Sequence, residues 1–257
     1  MYNDWLTIGR FTIHGYGFMI AVGILAAFFY SERQAKKHGM QADQADNIIF
    51  TCLISGFLVS KLTYILVNFQ EFLKDPVSFI SSSGWVVFGG IIGGILGAWI
   101  YCRIKKLDFM AYFNMLFPAV ALAQGFGRIG CFFAGCCYGV ETHGAFGVTF
   151  PAHSLAPSGV PLVPTQLISS LGDFMLFLIL YKLYEDQNTR KYTGSVYLVL
   201  YSLGRFMIEF LRGDVERGHI GFLSTSQFIA LFAAAAGILL VLRIRKAGGN
   251  DKMNMVE

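Results

Sequence analysis

Seven stretches of this chain are apolar over the length of a bilayer crossing, and little chain is left between them. They cover Ile13–Tyr30, Asn47–Val67, Trp85–Tyr101, Met110–Phe126, Gln166–Leu183, Gly194–Leu211 and Ser226–Leu242. A helix needs about 20 such residues to cross the hydrocarbon core. The runs follow a helical period, whereas barrel strands would alternate every second residue. Charged residues make up 14% of the 257, against about 25% in soluble domains. The expectation is therefore an all-α, polytopic integral membrane protein of about seven transmembrane helices. It is read as a single transmembrane domain over residues 1–257, with no room for a second, soluble one. The net charge of +4 is modest and forms no basic stripe with interleaved aromatics, so no nucleic-acid partner is expected. Met1 to Ile13 lacks a positive n-region, so the first run is expected to stay as a span.

Basic residues set the orientation. Arg33, Lys36 and Lys37 follow the first run, and Arg103, Lys105 and Lys106 the third. Lys182, Arg190 and Lys191 follow the fifth, and Arg243, Arg245 and Lys246 the last. The alternate loops are poorer. Lys74 stands alone after the second run, Arg128 alone between the fourth and fifth, and Arg212 and Arg217 follow the sixth. Positive residues stay inside, so the N-terminus is expected outside and the C-terminus in the cytoplasm. The longest loop, residues 127–165, then lies on the outer face. It is too apolar to be a disordered tether and is expected to pack at the membrane. The polar tail, 247–257, is short.

Ionisable groups inside spans are expensive and mark function by default. Tyr201, Arg205 and Glu209 in the sixth run and Arg212 just after it recur at helical spacing, close to one face. One reading is an Arg–Glu pair that neutralises itself for insertion. The favoured reading is an anion site, because a guanidinium offers phosphate a planar fork of donors. Arg128 sits among glycines in Gly125-Phe126-Gly127-Arg128-Ile129-Gly130. The glycines permit a close approach or a break in the helix, and the Arg either snorkels or binds. His14 and Tyr16, at the start of the first run, read equally as residues of an interfacial belt.

The cysteines divide into two sets. Cys52 and Cys102 read as small apolar residues. Cys131, Cys136 and Cys137 cluster in the outer loop. They could form a disulfide, or supply a nucleophilic thiolate beside Arg128. No metal is expected, because His143 and His153 match no zinc spacing.

With these residues in view, the chain resembles bacterial prolipoprotein diacylglyceryl transferases over most of its length. Gly127-Arg128-Ile129-Gly130 matches the start of the family signature, and Tyr201, Arg205, Glu209 and Arg212 match its Tyr–Arg–Glu–Arg helix. Tyr16 matches a tyrosine of the first span. Pro164-Thr165-Gln166-Leu167 resembles the family's His-Pro-Ser-Gln-Leu turn without its His. The resemblance implies a seven-span enzyme of the bacterial cytoplasmic (inner) membrane. Such enzymes move a diacylglyceryl group from phosphatidylglycerol to a lipoprotein cysteine thiol and release glycerol 1-phosphate. It implies phosphatidylglycerol or a related anionic phospholipid as one partner, a prolipoprotein as the other, and no cofactor. Arg128, Arg205 and Arg212 would hold the phosphate, Glu209 would orient Arg205, and Tyr16 and Tyr201 would contact the headgroup. His14, Lys61, Asn114 and Gln166 join the substrate-binding set.

There are departures. The signature's two Asn and its Glu read Cys131, Ala134 and Cys136 here, and the third-span His-Gly-Gly reads Phe88-Gly89-Gly90. Asn114 stands where the family often has Asp, and Lys61 where it has Arg. Activation must then come from elsewhere: a covalent role for Cys131, Cys136 or Cys137, or His14 or His143 as base. The alternatives are a paralogue with another acceptor and a non-catalytic lipid-binding or thiol-redox protein. A transporter is disfavoured, since no paired broken helices are evident.

Overall fold

The computed structural model describes residues 3–9, 11–82, 84–214 and 218–253. The chain divides into two compact units, one holding the N-terminal segment through Tyr30 and everything from Asn114 onward, the other Ser31–Phe113.

The first unit opens with an antiparallel hairpin, β1 (Asp4–Ile8) and β2 (Phe11–His14). It runs straight into α1 (Gly15–Lys37), whose last residues belong to the second unit. Trp5 anchors the hairpin, its ring centroid 5.2 Å from that of Phe18 and 4.9 Å from that of Phe133.

The second unit continues with α2 (Ala42–Val67), the short α3 (Phe69–Phe72) and α4 (Pro76–Ser81), and α5 (Val87–Lys105). Asp75 caps α4 by accepting from the Ser78 amide at 3.1 Å, with Pro76 in the first turn, where a missing N–H costs nothing. The pairing of α2 with α5 is made by small residues. A Cβ on Gly89 would run into Thr63, one on Gly97 into Ser55, and one on Gly56 would lie 3.0 Å from the Gly90 carbonyl. In lipid, where apolar burial drives little, such close backbone approach is what holds helices together.

The fourth expected run becomes α6 (Phe109–Ala134), capped by Asp108, which accepts from the Met110 and Ala111 amides at 2.9 and 3.1 Å. The helix does not stop at Phe126 as expected but continues through Gly127-Arg128-Ile129-Gly130. The glycines serve close approach. A Cβ on Gly125 would meet the Phe174 ring at 2.7 Å, and one on Gly130 the Tyr16 carbonyl at 3.0 Å. The long loop therefore begins after Ala134. It carries the two-residue strands β3 (Val148–Thr149) and β4 (Pro161–Leu162). It packs round a cluster of its own: Phe150, Ala156 and Leu162, with Phe132 and Tyr138 against it.

Next come α7 (Thr165–Glu185), a 3-10 turn (Arg190–Tyr192), α8 (Thr193–Glu209), a small hairpin of β5 (His219–Ile220) and β6 (Leu223–Ser224), and α9 (Thr225–Met253). The interior of this unit holds Ala121, Leu176, Leu180 and Tyr197, and beside them Ala27, Tyr30 and Ala119. Large side chains such as Leu25 (67% exposed) and Phe29 (68%) point outward, an arrangement stable against lipid rather than water.

Among the described residues six helices are long and apolar enough to cross a membrane: α1, α2, α5, α6, α7 and the Thr225–Lys246 part of α9. The sixth expected span, now α8, is not among them. It has 17 residues, about 26 Å of helix at 1.5 Å per residue, and two of its positions are Arg205 and Glu209.

Candidate active site

The three loop cysteines meet because of how α6 ends. Gly135 takes a left-handed φ of +73°, and the Cys136 amide folds back to the Cys131 carbonyl at 3.1 Å. This is the reversed turn that commonly closes a helix on a glycine. Cys137 is itself left-handed at φ +60°, which costs a non-glycine residue roughly 1–2 kcal/mol. The result brings Cys131, Cys136 and Cys137 together with all three sulfurs within 4.8 Å of one another. All three are free thiols.

The start of α7 holds this turn in place. Thr165 donates its hydroxyl to the Cys137 carbonyl at 2.7 Å, and Gln166 donates Nε2 to the Cys136 carbonyl at 2.8 Å. Both side chains are buried. Beyond the turn, Gly139 donates to the Val163 carbonyl at 2.9 Å, Val140 to the Leu211 carbonyl at 2.9 Å, and Gly213 to the Tyr138 carbonyl at 3.1 Å. The last two tie the loop to the segment after α8 that carries Arg212. The approach needs bare backbones: a Cβ on Gly139 would lie 2.6 Å from the Val163 carbonyl and 2.8 Å from that of Leu211.

Around the thiols stand cations and phenols. Arg128 is half-buried on α6, close enough to Tyr201, Cys131, Cys137 and Asp173 to interact with each. The Arg212 side chain is 8% exposed and is gripped by Asp214, with Nε 2.8 Å from Oδ1 and a second bond from Nη2 to Oδ2. Tyr16 of α1 lies against Gly130 and within electrostatic range of all three cysteines and of Arg128. Tyr201 stacks on Tyr197 at 5.4 Å, and the Tyr197 hydroxyl bonds Gln124 at 2.9 Å. Hydrogen bonds from the Cys131 and Cys136 thiols hold Cys137 below the ordinary thiol range, and the Arg212 and Arg128 guanidiniums add to this. The same sharing pushes Cys136 up.

The structure thus gathers Arg128, Arg212, Tyr16, Tyr201, Gln166 and the three cysteines. It engages the other expected site residues elsewhere. Arg205 pairs with Glu209 and donates to Ser226 at 2.8 Å, binding α8 to α9. Asn114 accepts from the Gly194 amide at 2.8 Å and so caps the start of α8. His14 pairs with Asp4 at 2.6 Å on the exposed hairpin. Lys61 lies in the second unit, donating to the Ser82 carbonyl at 2.8 Å and lying over the Tyr64 and Trp85 rings.

Sequence reasoning missed Asp173. It is 6% exposed, in the middle of α7, and its Oδ2 makes no hydrogen bond among the described residues. It was detectable by the rule that singled out Arg205, an ionisable group inside an apolar run. Gln166, Ser170 and Asp173 share one buried face of α7, and Ser170 ties that face to α6 through the Gly125 carbonyl at 2.9 Å.

Apolar helices arranged round guanidiniums, phenols and a knot of thiols define a polytopic membrane protein with a cationic, thiol-rich cluster. The family model for prolipoprotein diacylglyceryl transferase matches residues 4–243, and the chain belongs to that family, a family of transferases. It is 45% identical over 231 residues to phosphatidylglycerol–prolipoprotein diacylglyceryl transferase 2 of Clostridium perfringens, covering 89% of this chain and 90% of that protein. It is 44% identical over 239 residues to the phosphatidylglycerol–prolipoprotein diacylglyceryl transferase of Clostridium tetani, covering 91% and 95%. A second Clostridium perfringens enzyme, numbered 1, is 34% identical over 251 residues, covering 94% of each.

Proposed function

We propose that this protein transfers the diacylglyceryl group of phosphatidylglycerol, or of a closely related anionic phospholipid, to the cysteine thiol of a prolipoprotein. The observation that carries the reading is the convergence of Arg128 and Arg212 on one site with Tyr16, Tyr201 and the thiols. Two guanidiniums match a phosphodiester that becomes a phosphomonoester, since that step adds negative charge where they already stand. Tyr16 and Tyr201 border the headgroup, and Gln166 fixes the floor of the site by holding the Cys136 carbonyl. Arg205, Glu209 and Asn114 position α8. Lys61 and His14 secure the segments on which they lie.

A cysteine of the cluster does not serve as a covalent relay. Alkylating its sulfur would give a thioether, which no incoming thiol displaces readily, so the group would be stranded. A thiolate can instead take up the acceptor's proton or hold the acceptor's thiol in another way.

In this reading α8 is a seventh span. It is completed by the turn after Glu209, and its charged side chains, Arg205 and Glu209, pair with each other and with α9 rather than face lipid. The N-terminus is then outside and the C-terminus in the cytoplasm, in the inner membrane of a bacterium. The test is direct. Purified protein is given phosphatidylglycerol labelled in its acyl chains and a peptide with one lipobox cysteine, and the labelled peptide is followed. Label that stays in lipid, with the protein monodisperse and lipid-bound, would overturn the reading.

A further inference from the structure

We propose that Cys131, Cys136 and Cys137 form a three-thiolate zinc site whose open fourth position takes the acceptor thiol. The metal site stands on the geometry of the cluster. The role of the fourth position rests on the transferase reading above.

Three sulfurs within 4.8 Å of one another are almost at coordination distance. Zinc–sulfur bonds of about 2.3 Å in a tetrahedron put sulfurs roughly 3.8 Å apart. Small side-chain rotations close the difference. The backbone that carries them is already set, by the left-handed Gly135 and Cys137 and by the Thr165 and Gln166 bonds to the two successive carbonyls. Rigid support behind the ligands is what a metal site requires. A disulfide would use two of the sulfurs and leave the third without a role. Three protein ligands and one vacant position are the pattern of reactive rather than structural zinc.

The charges agree. A dication with three thiolates carries a net negative charge, and a fourth thiolate adds one more. Arg128 and Arg212 both bear on Cys137 and offset it. Their placement lets a nucleophilic thiolate and a departing phosphate share one small space.

The chemistry balances without any redox partner. An incoming thiol that binds the metal gives its proton to water. Its sulfur lone pair then attacks the glyceryl carbon that carries the phosphate ester. The S–C bond forms as the C–O bond breaks, and that bond's electron pair leaves on the phosphate oxygen. The phosphomonoester is held by the guanidiniums until it departs. The product sulfur is a neutral thioether, a poor zinc ligand, so it vacates the fourth position.

The experiment uses the full chain, purified reduced in detergent, stripped with a chelator and reloaded. Mass spectrometry of the metal should find a single zinc ion per chain. Cys131→Ser, Cys136→Ser and Cys137→Ser should each lower zinc affinity at least about tenfold. With Co2+ the protein should show thiolate-to-metal charge transfer. A cysteine peptide should shift the visible Co2+ bands, and its serine counterpart should not. Stripping and reloading the unmutated protein should abolish and restore transfer, which guards against variants that fail to fold. No retained metal, or a Co2+ spectrum unchanged in the triple serine variant, overturns the site. Unshifted bands with the cysteine peptide overturn the role of the fourth position. Full transfer by stripped enzyme overturns the role of the fourth position and leaves the transferase reading intact. Zinc bound with no transfer from any anionic phospholipid leaves the site and overturns the transferase reading.

Discussion

Cys136 donates its backbone N–H to the Cys131 carbonyl at 3.1 Å, and this bond across Gly135 decides where the thiols point. Gly135 adopts φ +73° to allow it, and a Cβ there would lie 2.7 Å from that of Ser154. Gly135→Ala is therefore expected to cost about 1–2 kcal/mol from the left-handed backbone alone and to move Cys136 away from Cys131. A short bifunctional thiol reagent should cross-link these cysteines in the parent protein and do so poorly in the variant. Equal yields would mean that the cap does not govern the cluster.

Cys137 should react as a thiolate at unusually low pH. Its thiol is held down by hydrogen bonds from Cys131 and Cys136 and by Arg212 and Arg128. The thiolate is the nucleophile, so a lowered pKa extends alkylation to the acid side of an ordinary thiol, near 8.5. In reduced, metal-free protein, iodoacetamide at mildly acidic pH should label Cys137 ahead of the other two. Arg212→Gln should shift its labelling curve toward higher pH. A curve for Cys137 that coincides with those of Cys52 and Cys102 would remove it as the thiolate of the cluster.

Arg212→Lys should weaken the donor site while keeping its charge. Asp214 holds the Arg212 fork from one side, which aims the guanidinium plane and fits it for two-point binding of phosphate. An ammonium cannot reproduce this. A charge-assisted hydrogen bond is worth about 1.5–3 kcal/mol, so KM for phosphatidylglycerol should rise roughly ten- to a hundredfold. The parallel kinetic measurement on Asp214→Asn should show a smaller rise, since the fork survives but loses its aim. An unchanged KM in Arg212→Lys would place the phosphate elsewhere.

Hydropathy located most of the helices, because crossing lipid demands length and apolarity and little else. It could not show that α6 runs on to Ala134, since Gly127 and Gly130 read equally as a break or a contact. Only the Tyr16 backbone packed against Gly130 decides it. Arg128, Arg212 and Tyr201 stood out as candidates from their cost in a membrane and their spacing, whereas Tyr16 entered only through the family resemblance. Asn114 and Lys61 were legible as polar, but their partners, Gly194 and Ser82, are far off in sequence. The three loop cysteines were legible as neighbours, but not the convergence of all three sulfurs within 4.8 Å. Their spacing matches no metal motif, because the cluster's geometry comes from a helix cap and two left-handed residues rather than from a repeat.

Asp173 offers the sharpest test of how Arg128 is kept in the membrane before donor binds. Its carboxylate is buried, one oxygen makes no hydrogen bond among the described residues, and Arg128 lies within electrostatic range. Each charge offsets the other, and removing one leaves its partner in a medium that solvates it poorly. Losing that offset lowers stability, by less than breaking a contact ion pair would, because Arg128 is half-buried. Asp173→Asn should therefore lower the unfolding temperature in neutral detergent. Phosphatidylglycerol should then restore more stability to the variant than to the parent, because the phosphate supplies the missing negative charge. Thermal unfolding of both proteins, with phosphatidylglycerol and with an uncharged lipid, reads this out. If the variant is less stable but gains no more from the anionic lipid than the parent does, Asp173 braces α7 and does not balance Arg128. If it unfolds like the parent throughout, the two residues are not coupled.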